Sequence, residues 1–299
     1  MRIYQVLFIL LIIFSGSGNA AEPRIVMDPG NVRWSRLVYQ ASAFFITMES
    51  EIRQGSIPVA DVLPQLVLNN EPNVVRPKFE KILKVENYSE GFGKKTRYSL
   101  WFDQNGEALQ RKKLVRGKKN EIKIYRFTPC GHYTLRKKFS DKKFDENYSQ
   151  WKESDRSYTD FNSNLCGNEQ IYDVNSLLYL ISALNIKDVG YKKDFLTFSY
   201  GHLVRVKLTA KKMSTVYADY KIKSPDRDLT VNESVDVLEL HLTPVTEDKK
   251  ERENFRFLGL KGDVTVYLDL KHQLILRLRG KVDVVGSLDI NLKRAELVN

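Results

Sequence analysis

Two cysteines and four histidines are all the chain offers in 299 residues. Two thiols exclude a disulfide-dense scaffold and an all-cysteine zinc site, and His132, His202, His241 and His272 do not stand at metal-ligand spacing. Nine prolines and sixteen glycines exclude collagen-like and low-complexity chains. The sequence contains no G-x-S-x-G, no H-E-x-x-H and no Rossmann glycine pattern. Glu90 to Thr96 resembles the end of a phosphate loop, but Tyr88 occupies the place of the first glycine and Lys95 intrudes before Thr96, so it reads as a turn. We expect no metal, no cofactor and no catalytic residue legible in sequence; a hydrolase assembled in space stays open. What is present is a 42% apolar, 28% charged composition, enough to bury a core.

The start of the chain has the form of an export leader. Arg2 precedes an unbroken apolar run from Val6 to Phe14, then the small residues of Ser15-Gly16-Ser17-Gly18-Asn19-Ala20. That run is far shorter than the roughly 20 residues that span a bilayer, and no later run is long enough. The expectation is a signal peptide over 1–20 and a mature chain over 21–299 without a transmembrane segment, periplasmic or secreted. In an oxidising compartment Cys130 and Cys166 are expected to pair, which would stabilise the fold by roughly 4 kcal/mol; two free thiols are the alternative.

Alternation of period two dominates the rest. From 264 to 292 the even positions, Val264, Val266, Leu268 through Leu288, Ile290 and Leu292, are mostly apolar and the odd ones mostly polar. This predicts strands with one buried face, broken near Lys271-His272-Gln273, with Gly280 and Gly286 marking bulges or bends. Thr96 to Phe102 and Ala108 to Val115 flank Asp103-Gln104-Asn105-Gly106, a strong hairpin signal. Glu121 to Phe127 and His132 to Phe139 flank Pro129-Cys130-Gly131, and Phe195 to Tyr200 and Leu203 to Leu208 meet at Gly201-His202. Apolar positions switch from odd at Val235 and Val237 to even from Leu238 to Leu242, which predicts a bulge.

Two segments depart from this pattern. Asp173 to Leu184 begins with a capping aspartate and sets Val174, Leu177, Leu178, Ile181 and Leu184 on one helical face, so it is expected to be the one short helix, near 173–184. Trp34 to Ile52 fits a helical stripe as well as a strand; its β-branched and aromatic content favours strand. Asn69 to Pro77 and Asp145 to Gly167 read as polar loops, the second separating two halves, 21–165 and 170–299, that could fold apart. The fold class is all-β: a large curved antiparallel sheet, or a barrel or half-barrel.

Tyr172-Asp173-Val174-Asn175-Ser176-Leu177-Leu178-Tyr179-Leu180 running to Gly190, then Tyr267-Leu268-Asp269 leading to Leu274-Ile275-Leu276-Arg277-Leu278 and Gly286-Ser287-Leu288, resembles the exported bacterial proteins of the domain-of-unknown-function family 3108. The first half joins the resemblance through Arg111 and Tyr125-Arg126-Phe127. The resemblance implies a periplasmic curved antiparallel sheet or barrel and carries over no catalytic residue.

Charge is the other concentrated signal. Residues 94–143 hold sixteen basic and four acidic side chains, a net +12 against +11 for the whole chain. On neighbouring hairpins Arg111, Lys112, Lys113, Arg116, Lys118, Lys119, Arg126, Arg136, Lys137 and Lys138 would form a patch for anionic lipid, glycolipid or acidic glycan. The plainer alternative is a solvated sheet face whose charges discourage edge pairing. Interleaved Tyr98, Trp101, Phe102, Tyr125, Phe127 and Tyr133 would suit a single-strand nucleic-acid binder, but export and the parity of a buried strand face argue against nucleic acid. Asp263 and Asp269 read as solvent carboxylates, His272 as a turn or core residue. The reading that results is an exported, non-enzymatic β protein that binds or carries an anionic amphiphile; the alternative is an envelope structural or protein-interaction module that docks an acidic partner.

Overall fold

A computed structural model of the chain describes residues 27–43, 46–91, 93–117, 120–139, 151–161, 169–283 and 286–298. The expected leader, Lys118, Lys119 and Cys166 lie outside the described residues, and with Cys166 the expected Cys130–Cys166 bridge.

Each hairpin signal became a hairpin. Trp34 to Ile52 forms not a helix but β1 (Trp34–Ala43) and the start of β2 (Ile46–Pro58). There follow β3 (Lys81–Gly91), β4 (Lys94–Phe102), β5 (Ala108–Arg116), β6 (Asn120–Thr128) and β7 (Gly131–Phe139), each antiparallel to the one before. The loop expected over Asp145 to Gly167 contains an eighth strand, β8 (Lys152–Asp160). Its polar sequence hid it: as the end of the ladder it is exposed along nearly its whole length, so no apolar alternation marks it.

The second half contains β9 (Ile171–Asp173), β10 (Lys192–Ser199), β11 (His202–Lys223), β12 (Asp228–Pro244), β13 (Arg256–Phe257), β14 (Leu260–Asp269), β15 (Leu274–Val282) and β16 (Gly286–Leu297). Tyr200 and Gly201 make the β10–β11 turn with φ of 50° and 95°, the left-handed pair that a two-residue hairpin needs. The phase change in 235–242 has its bulge on the partner strand: β11 passes from Ala210 to Lys212 while β12 advances one residue, from Leu240 to Glu239. Gly280 sits in β15 opposite Leu288 of β16, and its pairing with β14 is irregular as expected: Lys261 faces Lys281 and Thr265 faces Arg279, so β14 carries extra residues across Gly280. An added Cβ there would stand 3.0 Å from that of Leu260, and a second irregularity falls between Tyr267 and Leu268.

These strands form one sixteen-stranded sheet among the described residues, because β1 pairs with β16 and so joins the two halves. The sheet also closes on itself. The last turn of β11, Lys221 to Lys223, pairs in parallel with Arg294 to Glu296 of β16, completing a ring through β12, β14 and β15.

The predicted helix is present as a 3-10 turn, Val174–Ser176, followed by α2 (Leu177–Ala183), with Asp173 capping the start. It differs from the expectation of a single apolar face: all seven residues of α2 are buried. A helix covered on every side is an interior element. It packs against the Phe102 ring of β4 through Tyr179, against β15, and against β1, where the Trp34 Nε1 donates to Ser182 Oγ. One apolar cluster runs from Trp34 and Phe102 through α2 to Phe198 and Leu278, so residues of both halves share a core. Two short helices were not predicted, α1 (Val59–Val62) and α3 (Lys249–Asn254), the latter capped by Asp248.

Candidate functional site

Residues that face each other across paired strands lie on the same side of a sheet, and the side alternates along each strand. One such row crosses β3 to β7 through Val85, Leu100, Arg111, Tyr125 and Thr134, all buried on the core face. Two residues further along the same strands, on the same face, the next row reads Asn87, Tyr98, Lys113, Lys123 and Arg136, ending at Asp155 of β8. Except for buried Asn87 and exposed Asp155 it is half-buried.

The second row sets three cations side by side. Lys113 pairs directly with Lys123, and Lys123 with Arg136, on strands spaced about 4.8 Å apart. Like charges directly opposite each other oppose folding. Arg136 has Glu121 at 3.5 Å. Lys113 and Lys123 instead lie over aromatic rings, Lys113 Nζ 5.2 Å from the Tyr98 centroid and Lys123 Nζ 5.0 Å from that of Tyr125. No carboxylate among the described residues bridges the two lysines, so their mutual repulsion is not offset by a counter-charge between them.

The inner row shows the opposite solution. Arg111 Nη1 meets Asp173 Oδ2 at 3.0 Å, with the pair 6% and 0% exposed, and the guanidinium lies over the rings of Tyr125 and Phe198. Asp173 also accepts from Asn175 N, so one carboxylate neutralises β5 and caps the turn leading into α2. His132 packs among Phe127, Phe161 and Phe198; burial, helped by the charges of Arg111 and Lys123, lowers its pKa to about 4 and keeps it neutral.

The expected basic patch is therefore split by strand parity. Lys113, Arg136 and Lys138 lie on the core face beyond the buried row, and Lys112, Arg116 and Lys137 on the opposite face. Arg111 and Arg126 are interior residues and cannot belong to an exposed patch. Arg126 donates to the Leu109 carbonyl, and burial lowers its pKa to about 10. On that opposite face Lys112 and Lys84 flank the buried Trp101 ring, while Ile122, Ile124, Leu135 and Trp151 form a separate small core with Val67 and Leu68. Sequence reading passed over Lys123 and Tyr98 as site residues; their parity with Lys113 and Arg136 was the available signal.

No group of histidines, cysteines and carboxylates able to hold a metal occurs among the described residues. Asp263 pairs with Arg252, apart from Asp269. Asp269 binds His272 Nδ1 at 2.6 Å and the Lys271 N–H, closing the β14–β15 turn on itself. No helix among the described residues is long and apolar enough to cross a membrane.

No family model matches the chain, and no curated protein does, so the resemblance to family 3108 is not confirmed. Among solved structures the chain is similar to a beta-barrel-like protein of domain of unknown function DUF1849 from Brucella abortus. The identity is 9%, the match covers 88% of this chain and 97% of that one, and the TM-score is 0.42.

Proposed function

We propose that this is an exported envelope protein, without catalytic activity, that binds the anionic headgroup of an amphiphile along the row Tyr98, Lys113, Lys123 and Arg136. The observation that supports this reading is the direct Lys113–Lys123 pairing with no carboxylate between them. A phosphate or carboxylate laid across the two ammonium groups removes their repulsion. The tyrosines under the lysines hold the amines in place without neutralising them. Because α2 and the aromatic side chains around Phe198 fill the core behind the row, the reading is of headgroup capture along the half-buried row, not of a cargo enclosed in the sheet. Residues 1–20 would serve as the leader that delivers the chain to the periplasm or beyond.

Flotation of the full chain with phosphatidylglycerol vesicles tests this against phosphatidylcholine vesicles. Binding to the anionic vesicles alone, weakened by salt and lost in a Lys113→Glu, Lys123→Glu double variant, is the expected result. Equal binding by the double variant would remove the row from the function. Retention of an acidic protein but of no vesicle would favour the docking module.

A further inference from the structure

A depression on the outer face, where β1 meets β16, differs in chemistry from the basic row. It has a volume of about 370 Å³ and is lined by Gln40 and Ser42 of β1 and by Ser287, Asp289, Asn291 and Lys293 of β16. Gln40 pairs with Asn291 across the two strands, and alternate residues of each strand supply the lining, so it is the polar side of a two-strand floor.

Its charges are already balanced. Arg279 grips Asp289 through two bonds of 2.7 and 2.8 Å, and Lys293 Nζ is 2.8 Å from Asp219 Oδ2. Its neutral groups are not. Asn291 Oδ1 accepts from Arg277 Nε, which fixes the amide plane and leaves Nδ2 to donate elsewhere. Among the described residues the side chains of Gln40 and Ser287 make no hydrogen bond. Beside the cleft, Arg277 Nη2 donates to the Tyr217 carbonyl and Lys293 to that of Asp219, where among the described residues no strand pairs with this edge of β11. The cleft thus offers one oriented and one free amide, hydroxyls and one carboxylate at zero net charge, with Leu288 as its one apolar lining residue.

We propose that this cleft binds a neutral saccharide. Adjacent hydroxyls of a pyranose both donate and accept, and so does a floor of Gln40, Asn291, Ser287 and Asp289; an anion finds no uncompensated cation here, and a hydrocarbon finds no apolar wall. The site is independent of the basic row.

Isothermal titration of the full chain with maltotetraose, cellotetraose and the tetramer of N-acetylglucosamine provides the test. At least one should bind at millimolar concentration, with Gln40→Ala weakening it roughly tenfold and Ser287→Trp, which fills the cleft, abolishing it. Circular dichroism should show both variants folded, since each replaces a side chain without a hydrogen bond. The Lys113→Glu, Lys123→Glu variant should bind the saccharide unchanged, which separates this site from the headgroup row. The proposal is overturned if none of the three binds, or if Gln40→Ala leaves the affinity intact.

Discussion

Two rows of side chains lie two residues apart on the same strands and the same face, and each has an arginine or lysine from β5 at its centre. In the inner row Arg111 is buried and matched by one carboxylate, Asp173, which lies 62 residues away in sequence. In the outer row Lys113 is half-buried beside Lys123, with no carboxylate between them. The contrast shows where a fold uses its charges for itself and where it leaves them for something else. A buried cation must find its counter-charge within the protein, whereas a half-buried one can be left to solvent or to a ligand.

The largest effect should come from breaking the inner row. Arg111→Met leaves Asp173 buried and unpaired and should destabilise the protein by about 3–5 kcal/mol, read as a shifted urea midpoint. A shift within error would mean that Asp173 finds another partner and that the row is not held by the pair. Next comes Gly106, in the β4–β5 turn, with φ of 89° and a position where an added Cβ would stand 2.6 Å from the Tyr172 ring. Gly106→Ala should cost about 1–3 kcal/mol, from backbone strain and overpacking together.

Asp103 and His132 predict opposing pH responses. Burial raises Asp103 from 3.8 to about 6, so between those values the unfolded chain holds fewer protons and stability falls as pH rises. His132 is lowered from 6.5 to about 4, so over nearly the same window the unfolded chain holds more protons and stability rises with pH. The two slopes, up to about 1.4 kcal/mol per pH unit each, oppose one another. Urea midpoints at pH 4, 5 and 6 should therefore show opposite trends for the two variants relative to the parent: upward with pH for Asp103→Asn, downward for His132→Phe. Identical profiles for the two would refute the opposition.

The smallest effect belongs to the outer row and has the reverse sign. Lys113→Gln removes one of three adjacent cations and should stabilise the protein by about 0.2–1 kcal/mol at low salt, fading as salt screens the row. A loss of stability instead would mean that Lys113 serves the fold in the way Arg111 does.

Much of this comparison could be read from the chain itself. The Asp-Gln-Asn-Gly turn announced the β4–β5 hairpin, and Lys112 next to Lys113 already implied opposite faces, because side chains alternate along any strand. Asp173 ahead of Val174 to Leu184 announced a capped helix. Its surroundings were not legible: one apolar face was expected, whereas Ser182 is buried under Trp34 and Ser176 bonds the Asp173 carbonyl.

What the sequence by itself determined is local: the period-two strands, the turns between them, the helix cap and a net charge concentrated in residues 94–143. These follow from backbone geometry and nearest neighbours, and need no knowledge of what lies across the molecule. Only the tertiary structure decided which cations are used up. Arg111 meets Asp173, Arg126 is buried against the Leu109 carbonyl, β1 finds β16, and a cleft opens beside Gln40, because each is a pairing between residues distant in sequence. Alternation states which face a side chain takes, but burial and counter-charge depend on what the rest of the chain brings to that face.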